Sequence, residues 1–546
     1  MSLYQTVAKQ IPLSLPRRSL PRRWRRSWDG FTALLLLAAV LTAGLLLLTP
    51  AYLLVRTLES GATAVDLLTK PSTIATLGRS LWLSATVTLA SIVVAVPLAW
   101  LTTSTDLPGR RFWAVATALP LVLPSYVVAF LLVSLLGPKG LLQQWLFPFT
   151  GIERFPEIYG FPGAFIALTL MSYPYVLLTA RAALQRMDPA LLEAARSLGL
   201  NGWQTFWRVT LPHLRPSLLA GGLLVALYVL RDFGAVAMMR YNTFTRIIYI
   251  QYQTFTGRSL AAVLALALVL MVLVILLLEM RARGRARYDR RAGSAPRVAR
   301  PVRLGRWRWP ALIYAGTVVF GALLLPALGL LYWAARGLAQ GETLGVVWQS
   351  AFNSVTVSAA AAVAALLAAL PVALLSVRRP SRFSQGLERL TYAGFALPGI
   401  VIALAFVFFG ARYAPALYQT LPLLVAAYVV LFAPQAVGAA RASLLQAPVR
   451  LEEAGRSLGR SPFHVFGRIT LPLLRPGVLA GWALVFLTCM KELPAALILS
   501  PLGYRTLATA VWANISEAFF ARAAIPALLL ILLSSIPLAI LTLRDK

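Results

Sequence analysis

Apolar residues along this chain arrive in blocks of about 20, divided by short polar segments. That block length crosses a hydrocarbon core of roughly 30 Å as a helix. The pattern predicts spans near 31–55, 77–101, 112–136, 161–183, 216–237 and 260–279. A second set falls near 310–333, 351–375, 391–410, 421–440, 476–498 and 523–543. The expected fold is an all-α integral membrane protein with about twelve transmembrane helices. The first apolar run, Phe31 to Val55, is too long for a signal-peptide core and no clear small-residue cleavage site follows it, so it reads as an uncleaved span.

The polar segments repeat. LLEAARSLGLNGWQTFWRVTLPHLRPSLLAG begins at Leu191, and LEEAGRSLGRSPFHVFGRITLPLLRPGVLAG begins at Leu451. At a constant spacing of 260, Glu193 matches Glu453, Gly199 matches Gly459, Pro212 matches Pro472 and Arg215 matches Arg475. Upstream the spacing is 274, where Ser80, Ser84, Pro97 and Pro124 match Ser354, Ser358, Pro371 and Pro398. The 14-residue difference falls in the outer loop after the third span. An even number of spans per repeat gives both halves one orientation, related by a pseudo-twofold axis along the membrane normal. The division is a basic segment 1–30, a first six-helix unit 31–280, an Arg-rich tether 281–309 and a second unit 310–546.

Composition agrees with a membrane protein: 59% hydrophobic and 13% charged residues, against about a quarter charged in soluble chains. The net charge of +33 raises nucleic acid as a partner, but its placement speaks against it. The basic residues cluster between spans, from Arg17 to Arg26 and from Arg281 to Arg308, where eleven arginines accompany Asp289 alone. The positive-inside rule puts those segments, and both termini, in the cytoplasm. One cysteine and two histidines exclude a disulfide framework and any cage of soft metal ligands.

The duplicated segment lies between spans four and five of each half, on the cytoplasmic side. Glu193-Ala194-Ala195 and Glu453-Ala454-Gly455 offer a short helix with small side chains that fits a partner's groove. Gly199 and Gly459 permit a left-handed turn. Leu211-Pro212 and Leu471-Pro472 are expected to end the helix that follows, before the next span starts. The plainer alternative is an amphipathic hairpin with no partner. The pattern E-A-A, three residues, G, then I/V-x-L-P resembles the EAA loop of binding-protein-dependent ABC importer permeases, and the resemblance extends over all twelve spans. It implies the type I permease fold, coupling helices seated on two copies of an ABC ATPase subunit, and a periplasmic or lipid-anchored substrate-binding protein. It also implies residence in the bacterial inner membrane. Gly455 departs from the usual alanine, which weakens the local helix by up to about 1 kcal/mol.

The chain has no phosphate-binding loop; Gly137-Pro138-Lys139-Gly140 lacks the spacing and falls on the outer side. No nucleophile triad or metal-hydrolase motif occurs. The resemblance therefore assigns ATP and Mg2+ to the partner ATPase, with no cofactor bound by this chain and no catalysis by it alone.

Ionisable residues inside spans are functional candidates by default. Asp232 and Glu492 occupy equivalent places on the fifth spans, each after a base (Arg231, Lys491) and before a helix breaker (Gly234, Pro494). Either each acid pairs locally and orders a broken helix, or both face the pathway and meet a cation transiently, with no stable metal site. The F-G-A and K-E-L-P-A strings, with L-P-S-Y at 123–126 and L-P-G at 397–399, resemble ferric-iron permeases. A hard cation of that kind favours oxygen ligands, which the acids, Tyr173, Tyr228 and Tyr504 offer. Similar permeases import thiamine or phosphonates, and an anion would use Arg231 and Lys491 instead. A six-plus-six secondary transporter is the alternative of a different class; it has no use for duplicated docking loops.

Overall fold

The computed structural model describes residues 30–254, 257–282, 301–342, 345–394 and 397–544. The basic segment 1–29 and residues 283–300 of the tether lie outside the described residues. Among the described residues the chain is helical, with one isolated parallel bridge between Thr105 and Val302. The principal helices are α1 (Gly30–Thr69), α2 (Pro71–Ser104), α3 (Ser125–Leu136), α4 (Phe161–Arg186), α5 (Leu211–Arg231) and α6 (Arg258–Ala282). Their counterparts are α7 (Gly305–Ala339), α8 (Gly345–Arg378), α9 (Gly399–Tyr413), α10 (Leu421–Gln446), α11 (Leu471–Met490) and α12 (Phe520–Arg544). Eleven helical stretches among the described residues are long and apolar enough to cross a membrane, the third only because α3 runs on into Leu141–Thr150 as Ser125–Thr150; α9, at 15 residues, has no such continuation.

The shortness of α9 and of α3 corrects the sequence reading, which ran both third spans as continuous helices. The first is divided into Arg110–Ala116, a single tight turn Leu119–Val122, and α3. The second is divided into Arg382–Ala393 and α9. Pro124 and Pro398 stand as the caps of α3 and α9 in extended conformation. Proline cannot supply the interior hydrogen bond and its ring crowds the carbonyl four residues back, so the helix stops and restarts. Non-helical backbone of this kind persists at membrane depth only inside protein. Thr117, Pro120 and Leu123 are accordingly buried. The fifth spans also break, resuming as Gly234–Met238 and Pro494–Leu499 before Phe244–Gln253 and Leu507–Ser516. Ser80 of α2 accepts the Phe244 N–H at 3.2 Å and Ser354 of α8 accepts the Leu507 N–H at 2.6 Å. The serines matched by sequence thus each hold the first N–H of the helix that follows a break, whose N-caps are Thr243 and Thr506.

The two units interlock through their first helices. The Thr42 hydroxyl of α1 donates to the Ala368 carbonyl of α8 at 3.3 Å, and the Tyr52 ring lies 5.1 Å from Phe408 of α9. In the opposite sense, the Tyr314 hydroxyl of α7 donates to the Val94 carbonyl of α2 at 2.9 Å. Each first helix therefore packs on the other unit. Within units, small residues let α4 meet α5 and α10 meet α11: Gly221 lies against Val176 and Thr179, and Gly481 against Ala439.

Candidate functional site

The duplicated segments fold alike. Helices Pro189–Ser197 and Val449–Ser457 end in turns where Gly199 and Gly459 adopt φ of +81° and +75°. A side chain at that φ is strained whatever the surrounding space. Asn201 then caps Gly202–Thr205, accepting the Gln204 N–H at 2.8 Å while Gln204 accepts the Asn201 N–H at 3.1 Å. Ser461 plays the same part for Pro462–Val465.

Here a second expectation is corrected: Leu211-Pro212 and Leu471-Pro472 do not end the helix. The chain stays helical through one wide π turn, Phe206–Thr210 or Phe466–Thr470, and enters α5 or α11 with proline in the first turn. The same arrangement stands before Leu325-Pro326, where the π turn is Phe320–Leu324. In all three the carbonyl four residues before proline lies in the widened turn, which accommodates the ring that a regular α turn would strike.

Glu193, Ala194 and Ala454 are exposed, Glu453 is half-buried, and Ala195 and Gly455 are buried. A Cβ added at Gly455 would come within 2.8 Å of Ile469 Cδ1. In the first unit the matched pair is Ala195 and Val209, one methyl moved from one partner to the other. Sequence reasoning missed the apolar residues displayed beside the glycines. Leu198 is 82% exposed and Leu458, its repeat equivalent, 81%; Trp203 and Phe463 are a second exposed pair. A bare leucine held at one repeat position in two copies is what a docking surface presents. The legible signal was leucine before glycine in an otherwise polar loop.

The second locus joins the breaks. Asp232 follows the end of α5; its Oδ1 accepts the Ala235 N–H at 2.9 Å, capping Gly234–Met238, and its Oδ2 accepts from the Ser125 hydroxyl at the start of α3. Tyr228, one turn earlier, is half-buried with its ring 5.6 Å from that of Tyr175. Glu492 Oε1 accepts from Ala495 N–H at 3.4 Å and abuts Gly399, where any side chain would collide with it. The bases act across the units: Lys491 Nζ donates to the Leu121 carbonyl of the first unit at 2.9 Å, and Arg231 interacts electrostatically with Glu492. Leu121 lies four residues before the Ser125 that holds Asp232, so Lys491 brings the break of the second unit beside that of the first. All four charged side chains are half-buried.

Between them lies Tyr126, which sequence reasoning quoted in a string and did not select. It is 3% exposed, packs on Gly234, and its hydroxyl has no hydrogen-bond partner among the described residues. Buried polar atoms are usually paired; the hydroxyls of Thr169 and Ser500 share this state. Tyr173 does not join this cluster: it is fully buried in α4 and donates to the Thr117 carbonyl at 2.7 Å. Tyr504 likewise donates to the Asn353 carbonyl at 2.7 Å. Among the described residues no three of His, Cys, Asp or Glu come together as a metal site.

Residues 91–282 and 360–546 each match the family described as binding-protein-dependent transport system inner membrane component. Over 496 residues the chain is 34% identical to the Fe(3+)-transport system permease protein FbpB 2 of Haemophilus influenzae, covering 90% of this chain and 94% of that protein. The sulfate transport system permease protein CysT of Escherichia coli is 31% identical over 247 residues, 44% of this chain and 87% of its own length. The molybdenum transport system permease protein ModB of Escherichia coli is 33% identical over 191 residues, 34% of this chain and 82% of its own length.

Proposed function

On the premise that this chain belongs to the family of binding-protein-dependent transport system inner membrane components, we propose that it carries ferric iron into the cytoplasm as the permease of an ATP-driven importer. The supporting observation for the cargo is the match over nearly the full length of both chains to a relative named for Fe(3+) transport. The locus at the breaks suits a hard cation. Asp232, Glu492, Tyr126 and Tyr228 offer oxygen from both units; Arg231 opposes the Glu492 charge, and Lys491 is turned to the Leu121 carbonyl.

The cycle is alternating access. A binding protein docks outside and delivers the cation toward the broken helices. Two ATPase copies, which use ATP and Mg2+, seat on the surfaces around Leu198 and Leu458, and their closure rocks one unit against the other. Both termini lie in the cytoplasm. The sulfate and molybdenum relatives favour a second reading, an oxyanion received by Arg231 and Lys491.

The test is uptake of labelled ferric iron by cells expressing this chain with its ATPase and binding protein. Asp232→Asn with Glu492→Gln is expected to lower uptake roughly tenfold or more, about 1.4 kcal/mol in the barrier, while the complex still assembles. Iron uptake at the wild-type rate in that double variant would sink the carboxylate pathway. A wild-type complex whose ATPase responds to sulfate and not to iron would replace the cargo with an oxyanion.

A further inference from the structure

On the cytoplasmic side of the first unit, the ends of α2, α5 and α7 diverge around a crevice of about 1980 Å³. Small-ligand pockets are usually about 300–1,000 Å³. One wall is apolar and belongs to the spans: Ile92, Val93 and Val96 of α2 with Ala311 of α7. Val93 is exposed, so this wall is open toward lipid. The mouth carries Arg110, Arg111 and Arg303, and Glu193 is the one acid among the lining residues. Trp100, Trp203, Trp207 and Trp307 stand among them, the residue type that collects at the level of lipid headgroups.

The basic mouth is positioned by backbone. Val302 N–H donates to the Ser104 carbonyl at 2.8 Å and Asp106 N–H to the Val302 carbonyl at 3.1 Å, which sets Arg303 beside the end of α2. Deeper in, Arg181 donates through Nη1 to the Ala114 carbonyl at 2.7 Å, and its buried Nε has no partner among the described residues.

We propose that this crevice binds an anionic phospholipid of the inner leaflet, its phosphate held by the arginines and an acyl chain along the α2 wall. Charge decides the occupant. Arginine pairs with phosphate through charge-assisted hydrogen bonds, and basic clefts between membrane helices on the cytoplasmic side select anionic headgroups. Residues 283–300 of the tether are disfavoured as its occupant, because they carry seven arginines of their own against Asp289. A free phosphate would satisfy the mouth and leave the apolar wall unused. The site is single: Ser104 and Leu192, which line it, are replaced in the second unit by Arg378 and Glu452, ion-paired at 2.8 Å.

The test is native mass spectrometry of the detergent-solubilised complex with its ATPase, titrated with phosphatidylglycerol or phosphatidylcholine. One phosphatidylglycerol per chain is expected to bind, with phosphatidylcholine much weaker. Replacing Arg110, Arg111 and Arg303 by Gln should weaken binding about fivefold per arginine, and replacing them by Lys should restore most of it. Equal phosphatidylglycerol binding by the wild type and the Gln variant, or equal binding of both lipids, would overturn the site. Displacement by millimolar inorganic phosphate would overturn the lipid in favour of a free anion. A photoreactive benzoylphenylalanine in place of Val93 should form lipid adducts; adducts to peptide 283–300 would give the crevice to the tether instead.

Discussion

In the second unit Arg378, at the end of α8, holds Glu452 of helix Val449–Ser457 at 2.8 Å, with the two side chains only 15% and 8% exposed, and also donates to the Ala447 carbonyl at 3.2 Å. In the first unit the matched positions are Ser104 and Leu192, and a crevice opens where the clamp would be. Yet Leu198 and Leu458 are displayed to within one per cent of the same exposure, and both glycines keep the same left-handed turn. The surface offered to a partner is held constant while the fastening behind it diverges. The methyl exchanged between Ala195–Val209 and Gly455–Ile469 repeats that lesson at the scale of one carbon: total volume is kept and its division is free.

The contrast can be broken hardest at the clamp. Arg378→Ala leaves Glu452 buried without its partner and should cost about 3–5 kcal/mol, read as a lower thermal midpoint of the purified complex. The double change Arg378→Ser with Glu452→Leu, which writes the first unit's residues into the second, should recover most of that loss. Failure to recover would mean that the two segments are not interchangeable in their anchoring.

Next in size are Gly199→Val and Gly459→Val. A β-branched residue at φ near +80° stores about 1–3 kcal/mol of strain, and either variant should hydrolyse ATP without proportionate transport. If only one of them uncouples, the ATPase contacts are unequal and the symmetry of the docking surface is superficial. Gly455→Ala should cost about 1 kcal/mol by overpacking, because the obstructing Ile469 methyl is the end of a flexible side chain. Ile469→Val should relieve it, and a double-mutant cycle on melting temperature measures the coupling.

The smallest effect concerns Asp106, whose half-buried carboxyl is held below its usual 3.8 by the Leu304 N–H first and by Arg308 second. A depressed carboxyl stabilises the fold above that usual value and loses the contribution as pH falls through the lowered one. The difference in melting temperature between wild type and Asp106→Asn should therefore be present at neutral pH and vanish in acid. A difference that persisted below pH ~3 would place the role of Asp106 in packing.

Most of the spans, the two repeats and the left-handed turns at Gly199 and Gly459 were legible because they rest on local signals: apolar length, spacing of 260 and 274, and glycine at a turn. The family match falls on both units, as the repeat in sequence led one to expect. What was not legible depends on contacts far apart in sequence. Nothing in 31–55 announces that Thr42 meets Ala368 or that Tyr52 meets Phe408. The crosswise reach of Lys491 to Leu121 is equally invisible, since adjacency suggested Glu492. The break before α3 did have a local signal, Pro120 and Pro124 inside one apolar run, outweighed by hydropathy. The Leu-Pro pairs misled for a subtler reason. Proline opens a helix as readily as it closes one, and a preceding π turn leaves no mark in sequence.

The interlocked first helices also set an order of events at the ribosome. The Thr42 hydroxyl waits for a carbonyl 326 residues downstream, which at ~5–20 residues per second is roughly 16–65 s of synthesis. For that interval α1 sits in the bilayer without its contacts on α8 and α9, and the newborn first unit has yet to receive α7. A gene divided at the tether would have to deliver both products to one patch of membrane before either was complete, so fusion of the two halves in one chain shortens a search as well as fixing a stoichiometry.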